Sequence, residues 1–478
     1  MREQNKMKAL LISSYRLNTI SRIDVAPPLN ILYIAAVLRS VGIASQLLDL
    51  NLVSLKDQES AEKKMLDHAR AQVLAYQPDI VGISCLTTAH FPFMRRLAGI
   101  IRSISPHIKI LLGGVHATLF AAEILENCAD FDYIILGEGE EQTAELAKAF
   151  LLGTVEDLSH IQSLAWRKPS GQVVGNARKN YIENLDSLPM PAWDLVDFTR
   201  YYRDHSAWYN PKGHDIKISI PIISTRSCPY SCNFCSAHKT MGRGFRKRSP
   251  ENVVDEIEYH VHTFGHRYFG FADDNLTLEK AHVLKVCGEI SRRGLDIQFE
   301  SFNGYNLASL DAEVIDALAS AGCIYSILPI EHGSDMMRND IIGKKLPREK
   351  IFEVMRLYKQ HKIQTRAMFI MGFPEDTPET LEETRKMIHD LAPDMADVFT
   401  LIPFPGTRVF QQAIKDKLFI AQIDEPRLWD GSLRLDTKGA QFYLKPYAMS
   451  LEDLTTWRRI FDEISASLIK RRGAGAMA

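Results

Sequence analysis

Short apolar runs alternate with amphipathic stretches in two long parts of the chain, and this alternation constrains the fold more than any other feature. In residues 7–152, five apolar runs each end in small or polar residues, and helical patterns separate them. Continuous apolar strands that alternate with helices are typical of parallel sheets covered on both faces. The sequence therefore predicts an α/β chain that begins with a doubly wound parallel sheet. Ligands of such a sheet bind beyond the carboxyl ends of its strands.

The same alternation returns in residues 218–410, where we count six strand–helix units. Eight units make a complete barrel, so six predict a partial (β/α)6 barrel. Residues 153–217 show little periodicity and are interpreted as a linker with some short strands. Residues 411–478 form a C-terminal region, in which Ser450–Asp453 caps a predicted helix over Leu451–Lys470.

Composition excludes several classes of protein. Lys plus Arg is 57 and Asp plus Glu is 59, which gives a net charge of −2 and no whole-chain signal for nucleic-acid binding. The longest apolar runs, such as Ile31–Leu38, are far shorter than the roughly 20 residues that a membrane span needs. Seven cysteines in 478 residues is a low, odd number that argues against a disulfide framework. We expect a cytoplasmic protein with no membrane span and no nucleic-acid partner.

Three of the seven cysteines lie in one short segment directly after a predicted strand. Cys228, Cys232 and Cys235 have the spacing Cys-x3-Cys-x2-Cys. Thiolates in a tight loop suit zinc or an iron–sulfur cluster. Zinc would need a fourth ligand, for which His238 is available, and three free cysteines are a further alternative. The other four, which lie in apolar contexts, are interpreted as buried small hydrophobes: Cys85, Cys128, Cys287 and Cys323.

The cysteine spacing, with Phe234 before the last cysteine, resembles the radical SAM superfamily. Four later segments resemble strand endings of that family: residues 268–275, 329–334, 369–375 and 402–407. The resemblance implies a [4Fe-4S] cluster on the three cysteines, and SAM that is cleaved reductively to a 5′-deoxyadenosyl radical. It also implies a set of SAM-binding residues: Phe234, Asp273, Glu331 and Gly372. Alternatively, Asp273 and Asp274 cap the following helix, and Glu331 is a solvated carboxylate at a strand end.

The N-terminal part lacks a dinucleotide fingerprint, because the glycines at 137 and 139 follow the fifth strand and a third glycine is absent. It resembles instead the cobalamin-binding domain that precedes many radical SAM domains. The resemblance implies these cobalamin-binding residues: Ser84, Leu86, Gly113, Gly114, Gly137, Glu138 and Gly139. The Asp-x-His-x-x-Gly motif that supplies a cobalt ligand is absent, so the lower axial ligand stays open. His116 is either near the corrin or a surface or helix-start residue.

Together the two resemblances imply a cobalamin-dependent radical SAM enzyme. The leading hypothesis is methylation of an unactivated carbon through methylcobalamin and the 5′-deoxyadenosyl radical. Oxidative cyclisation or rearrangement with the same cofactors is the alternative, and a non-catalytic cobalamin or redox sensor is an alternative of another class. A further hypothesis is a radical tRNA- or protein-modifying enzyme, in which the basic stretch Arg243–Arg248 contacts phosphate. The expected partners are a small-molecule substrate, such as a lipid, tetrapyrrole or natural-product intermediate, and a low-potential electron donor.

Overall fold

The computed structural model describes residues 7–13, 26–53, 58–178, 181–204, 209–421, 425–431 and 442–475. The chain divides into two units. The first comprises residues 1–203 together with 239–242 and 423–436, and the second comprises 204–238, 243–422 and 437–478. Within the described ranges, no helix combines the length and the apolar character that a bilayer crossing requires.

The first unit is built on a seven-stranded sheet of order β2-β1-β3-β4-β5-β6-β7. The first five strands are parallel, and β6 and β7 extend the sheet in antiparallel fashion. The strands are β1 Lys8–Ile12, β2 Ala44–Leu48, β3 Ile80–Ser84, β4 Lys109–Gly113, β5 Tyr133–Ile135, β6 Leu164–Arg167 and β7 Val173–Gly175. The helices are α1 Leu29–Ser40, α2 Gln58–Tyr76, α3 Phe91–Ile104, α4 Val115–Leu119, α5 Ala121–Asn127 and α6 Glu140–Leu152.

Two separate apolar cores cover the two faces of this sheet. One contains residues of α2, α3 and α5, among them Met65, Leu97 and Ile124. The other contains residues of α1 and α6, among them Ile31 and Leu146. Helices on both faces of a mainly parallel sheet define the doubly wound architecture, so this prediction is confirmed.

The second unit is built on a six-stranded, wholly parallel sheet of order β15-β14-β13-β12-β11-β8. Its strands are β8 Ile220–Ile222, β11 Tyr268–Phe271, β12 Gln298–Ser301, β13 Cys323–Glu331, β14 Gln364–Met371 and β15 Met395–Thr400, with a small hairpin of β9 Thr225–Arg226 and β10 Arg246–Lys247. Its helices are α7 Ala237–Met241, α8 Pro250–Phe264, α9 Lys280–Arg292, α10 Ala312–Ala321, α11 Arg348–Gln360, α12 Pro378–Leu391, α13 Arg408–Lys415 and α14 Leu451–Gly475. Residues 237–238 of α7 are grouped with the second unit and residues 239–241 with the first.

Local sequence signals explain where the helices of this unit begin. Helix α8 starts at Pro250 after Ser249, whose hydroxyl accepts a hydrogen bond from the Asn252 backbone. Helix α12 starts at Pro378, and Thr377 and Thr380 form a reciprocal capping box. Proline at the first helical position and a hydroxyl at the N-cap satisfy helix starts without losing a backbone hydrogen bond.

The segment interpreted as a linker contributes to both units. Its first strands are β6 and β7, and the Tyr201 hydroxyl donates to Asp49 Oδ2 at 2.9 Å in the first unit. Residues 209–218 close the amino end of the six-stranded sheet, where Tyr209 and Ile216 pack on Tyr268 and Tyr325. Little periodicity therefore does not mean absence of structure in this segment.

Helix α14 covers the exposed edge of β15, the last strand of the six-stranded sheet. Arg458 donates to the carbonyl of Val398, and the Ser465 hydroxyl donates to the carbonyl of Ala396 at 2.7 Å. An edge strand carries unpaired backbone groups that template association with other chains. The Arg458 and Ser465 side chains of α14 donate hydrogen bonds to two of these backbone carbonyls.

Candidate functional site

The three clustered cysteines lie in a loop at the carboxyl end of the first barrel strand. Each is a partly exposed free thiol, and the backbone amide of Cys235 donates to the carbonyl of Cys232 at 3.2 Å. Burial raises the pKa of Cys232 to about 11, against the opposing effect of Lys344, and burial also raises the pKa of Cys235. The three cysteines fall within eight residues of one loop, which the Cys235–Cys232 backbone hydrogen bond turns tightly.

The loop between β11 and α9 braces the chain that leads into the first cysteine. Asp273 accepts from the backbone amides of Ser224 and Thr225, and the Asp274 carboxylate accepts from the amide of Ser227 at 3.0 Å. The side-chain amide of Asn275 lies 3.6 Å from Cys228 Sγ. Three consecutive residues therefore hold the path of the cysteine loop.

Asp273, which is predicted as a SAM-binding residue, makes its contacts to the segment that leads into the cysteine loop. Its side chain is buried, and it also accepts from the Thr225 hydroxyl at 2.6 Å. Burial raises the pKa of Asp273 to about 7, although the hydrogen bonds from Thr225 and Ser224 oppose this rise. The helix-cap alternative does not describe it either, because α9 begins only at Lys280. In this structure, the side chain supports the cysteine loop.

Glu331 ends β13 and is paired with a half-buried lysine. Lys344 Nζ donates to Glu331 Oε1 at 2.8 Å. Burial lowers the pKa of Lys344, but the Glu331 carboxylate and the Cys232 thiol raise it more, so that the net shift is upward. Glu331 has φ of 71°, which non-glycine residues rarely adopt. The alternative of a solvated strand-end carboxylate is therefore wrong, since Glu331 is buried and ion-paired.

The endings of β13 and β14 are joined by a buried pair that sequence reasoning missed. His332 Nε2 lies 3.0 Å from Asp376 Oδ1, and Asp376 Oδ2 accepts from the amides of Gly372 and Phe373 at 2.6 and 2.9 Å. Gly372 has φ of 94°, which favours glycine. Phe234 of the cysteine loop makes an edge contact with the Phe373 ring. Thus Phe234, Glu331 and Gly372 lie on neighbouring segments, as expected of one site.

In the first unit, the ends of β3 and β4 form a cradle of close backbone contacts. The Ser84 hydroxyl accepts from Asn30 at 2.9 Å, and the Leu86 side chain is 44% exposed. Gly114 has φ of 103°, and a Cβ there would lie against the Cys85 carbonyl group, 2.8 Å from its carbon. A Cβ at Gly113 would meet nothing within 4 Å. Open space beside a glycine at a strand end fits the approach of a large ligand.

The ending of β5 carries the other glycines of the predicted cobalamin site. Gly137 has φ of 74°, and its amide donates to the Thr118 hydroxyl at 2.9 Å. Glu138 is buried, and its carboxylate accepts from the Ile182 amide at 3.0 Å. Gly139 precedes α6 as its N-cap. Glu138 therefore anchors the segment after β7, whereas the two glycines lie at the sheet edge where ligands bind.

His116 is buried in α4, so the expectation of a surface residue is wrong, while the helix-start position is correct. Its Nε2 donates to the carbonyl of Trp429 at 2.9 Å, and its Nδ1 lies 3.1 Å from the Thr88 hydroxyl. A carbonyl only accepts, which assigns the proton to Nε2. Burial lowers the pKa of His116 to about 4 despite the opposing effects of Trp429 and Asp430.

The basic stretch Arg243–Arg248 is largely engaged inside the second unit. Arg248 forms a buried pair with Glu256 at 2.6 Å, and Lys247 pairs with Glu279. Arg246 is buried, and Arg243 donates to the Ser231 hydroxyl at 2.5 Å. The side chains that would contact phosphate are committed to the protein itself, which removes the main support for the RNA hypothesis.

The donor set of the cysteine loop fits an iron–sulfur cluster. Within the described residues, no three His, Cys, Asp or Glu side chains, the loop cysteines included, are close enough together to hold a single metal ion, so the loop and His238 do not form a zinc site here. In an iron–sulfur cluster each thiolate binds a different iron, so the three thiols need not converge on one point, and three ligands leave one of four irons open. The cysteines interpreted as small hydrophobes, 85, 128, 287 and 323, are all buried, as expected.

Two segments of the chain match known protein families. Residues 15–147 match the B12 binding domain, and residues 222–388 match the radical SAM superfamily. The chain is 30% identical over 420 residues to the anaerobic magnesium-protoporphyrin IX monomethyl ester cyclase of Rubrivivax gelatinosus, covering 86% of this chain and 72% of that protein. It is 27% identical over 416 residues to the uncharacterized methyltransferase PH0819 of Pyrococcus horikoshii, covering 87% and 84%.

A solved structure shares the fold. The radical S-adenosylmethionine methyltransferase TsrM of Kitasatospora setae, with cobalamin and a [4Fe-4S] cluster bound, superposes with a TM-score of 0.67 at 19% identity. The match covers 87% of this chain and 76% of that one. A sheet that binds B12 followed by a radical SAM barrel defines a class of radical enzymes. The chain belongs to the radical SAM proteins that carry a cobalamin-binding domain. Its cofactors are a [4Fe-4S] cluster, S-adenosylmethionine and cobalamin.

Proposed function

We propose that this cobalamin-dependent radical SAM enzyme methylates an unactivated carbon of a small molecule. The observation that carries the proposal is the loop of three clustered cysteines in the same unit as the Glu331–Lys344 ion pair, in a chain that also has a B12 binding domain. When bound, the cofactors supply a hydrogen-abstracting radical and a transferable methyl group. A non-catalytic sensor would not need three cluster-ligating cysteines together with the predicted SAM-binding segments of Glu331 and Gly372.

The residues of the proposed site have distinct roles. Cys228, Cys232 and Cys235 ligate the cluster, and Asn275 and Asp274 hold the loop that carries them. Lys344 holds the Glu331 carboxylate in position at the end of β13. The endings of β13 and β14 bind SAM through the segments of Glu331 and Gly372, with Phe234 against Phe373. Asp273 is assigned a supporting role, because its carboxylate is buried against Ser224 and Thr225.

Cobalamin is assigned to the carboxyl edge of the first sheet. The proposed contacts are at Ser84, Leu86, Gly113, Gly114, Gly137 and Gly139, with Glu138 anchoring the neighbouring segment. The exposed Leu86 side chain and the open space at Gly113 are the observations that support this assignment.

Oxidative cyclisation is the second candidate, and one observation favours it. The relative from Rubrivivax gelatinosus, which is 30% identical, is named a cyclase. Both candidates use the same cluster, SAM and cobalamin, and both act on a small molecule. We propose a low-potential electron donor for either reaction.

The test is product analysis with the reconstituted protein. The chain is purified anaerobically, loaded with iron, sulfide and cobalamin, and supplied with SAM and a chemical reductant. We expect 5′-deoxyadenosine, which is lost in the Cys228→Ala, Cys232→Ala and Cys235→Ala variants. The matched control is Cys287→Ala, which removes a buried thiol of the same unit. Retained iron and product in all three loop variants would overturn the proposal.

The second product separates the two candidates. S-adenosylhomocysteine that forms together with 5′-deoxyadenosine in the presence of a substrate supports methyl transfer. Sustained 5′-deoxyadenosine formation without S-adenosylhomocysteine favours cyclisation or another oxidation. Neither product from fully loaded protein would return the sensor hypothesis to first place.

A further inference from the structure

The strand register assigns a continuous set of side chains to the inner face of the six-stranded sheet. Glu300 pairs with Tyr325, Tyr325 with Gln364, and Arg366 with Met395. Directly paired residues of parallel strands lie on the same face, and residues two apart share that face. The same face therefore carries Glu300, Tyr325, Pro329, Arg366, Met368, Ile370, Asp397 and Phe399.

The opposite face is the one that the helices cover. Ser326, whose side chain points away from that of Tyr325, bonds to the Tyr358 hydroxyl of α11 at 3.2 Å. Along β14 the residues of this outer face are buried, whereas Gln364, Arg366, Met368 and Ile370 are all partly exposed. The inner face is thus a concave surface that remains open in a partial barrel.

The lower part of the inner face carries polar side chains that bond to one another. Arg366 Nε donates to the Asp397 carboxylate. Tyr268 bonds to Glu300. Below them, Tyr209 and Ile216 pack on Tyr268 and Tyr325. Among the described residues, this packing covers the inner face at the amino ends of the strands and leaves the carboxyl ends accessible to a ligand.

Above this polar layer, the inner face is apolar across the sheet. Pro329 pairs with Met368, and Ile370 pairs with Phe399, whose side chain is 46% exposed. At the other side, a Cβ on Gly270 would lie inside the Phe302 ring, 2.6 Å from its Cε2, so that this ring lies over Gly270. We call Phe302, Pro329, Met368, Ile370 and Phe399 the apolar band.

The apolar band lies directly beneath the proposed SAM-binding segments. Ile370 is two residues before Gly372, and Pro329 is two residues before Glu331. Two residues of a strand span roughly 7 Å. A molecule bound to the band therefore has carbon atoms within one or two such distances, each roughly 7 Å, of the strand ends where the radical would form.

We propose that the substrate is a neutral, largely apolar small molecule whose hydrocarbon part lies on the apolar band. This inference rests on the proposed function. The charged side chains of the inner face, Arg366, Asp397 and Glu300, all lie in the polar layer below the band, where Arg366 pairs with Asp397, so the band itself offers its ligand apolar contact. Phe399, an aromatic side chain of the edge strand β15 that is 46% exposed, is the main proposed contact.

The test is equilibrium dialysis of tritiated farnesol, a neutral isoprenoid alcohol, with protein loaded with cluster, cobalamin and SAM. Sucrose serves as the polar comparison probe. We expect farnesol to bind and sucrose not to bind. Phe399→Ser and Ile370→Ser should each weaken farnesol binding about tenfold, because each removes apolar surface that the bound ligand would cover; tenfold corresponds to about 1.4 kcal/mol. Phe399→Leu should retain binding because it keeps an apolar surface.

The matched control is Ile469→Ser, which removes an apolar side chain from α14 of the same unit that is 58% exposed, more than Phe399. Circular dichroism verifies that each variant is folded. Equal farnesol affinities in wild type, Phe399→Ser and Ile469→Ser, or no farnesol binding at all, overturn the substrate class. Formation of 5′-deoxyadenosine in those preparations leaves the proposed function standing. Farnesol binding that depends on Phe399, without any SAM cleavage, keeps the apolar site and overturns the function.

Discussion

His332 and Asp376, 44 residues apart in sequence, form a completely buried pair that joins the ends of two neighbouring strands. The amide of Ser334 donates to His332 Nδ1 at 3.0 Å, so the proton of the neutral ring lies on Nε2 and is donated to Asp376. The other oxygen of Asp376 accepts from the amides of Gly372 and Phe373. One carboxylate thus sets the relative position of the segments that carry Glu331 and Gly372.

Replacing His332 by Leu should destabilise the protein by about 2–4 kcal/mol, because it removes a partner from a buried carboxylate. SAM affinity should fall as well, since the Gly372 segment loses its support. His332→Gln, which restores a donor near Nε2, should recover part of both. Thermal unfolding and SAM titration of the cluster's EPR signal measure the two effects.

The control for this pair is His389→Leu, at a largely exposed histidine of α12. It should change stability by no more than about 0.5 kcal/mol. Unchanged SAM affinity in a folded His332→Leu protein would show that the pair does not position the site.

Gly113 and Gly114 should respond differently to the same substitution. Gly114→Ala introduces a Cβ against the Cys85 carbonyl at a φ of 103°, and we expect a loss of about 2–4 kcal/mol in the apo-protein. Gly113→Ala meets no protein atom within 4 Å and should leave apo-protein stability nearly unchanged while weakening cobalamin binding. Thermal unfolding without cobalamin and absorbance titration with it separate the two effects. Normal cobalamin affinity in Gly113→Ala would contradict the assigned position of the ligand.

Stability should fall with decreasing pH because of His116. Burial lowers its pKa to about 4 in the folded protein, whereas an unfolded histidine has a pKa of 6.5. Between these values the unfolded chain binds the proton and the folded chain does not, so stability declines as the pH falls from 6.5 towards 4 and no further below that. From pH 7 to pH 5 this group contributes a loss of about 2 kcal/mol.

The comparison is urea denaturation of wild type and His116→Gln at both pH values. The variant has no group that titrates at this position, so its loss between pH 7 and pH 5 should be smaller by about 2 kcal/mol. Equal losses in the two proteins would mean that His116 is protonated in the folded state. Asp430 is the charged neighbour that raises the pKa of His116, and Asp430→Asn should therefore leave the difference intact or increase it.

Gly270 and Phe302 should be energetically coupled. Gly270→Ala forces the Phe302 ring away from its place over β11, at a cost of about 1–3 kcal/mol. In the Phe302→Ala background the same change should cost much less, because the obstructing ring is gone. A double-mutant cycle on thermal unfolding measures the coupling, and additive effects would show that the ring does not lie over Gly270.

The architecture could be predicted from sequence because each strand–helix unit carries its own local pattern. The cysteine spacing likewise identified three ligand candidates within eight residues. The roles of Asp273 and Lys344 could not be predicted from the sequence. The role of Asp273 depends on Ser224 and Thr225, which are 48 or more residues away, and the role of Lys344 depends on its pairing with Glu331. His332 lay in a segment that the family resemblance had identified, but its partner is set by the register between β13 and β14. Partner choice across strands is tertiary information that local periodicity does not contain.

The cover that α14 gives to β15 has a consequence for how the chain is made. The ribosome releases β15 before residues 451–475, so for a time the nascent barrel has an edge whose carbonyls at Ala396 and Val398 lack their eventual donors. Protection of that edge comes only with the arrival of Arg458 and Ser465. During translation, the barrel therefore depends on the last helix to end the interval in which its edge can capture a neighbouring nascent chain.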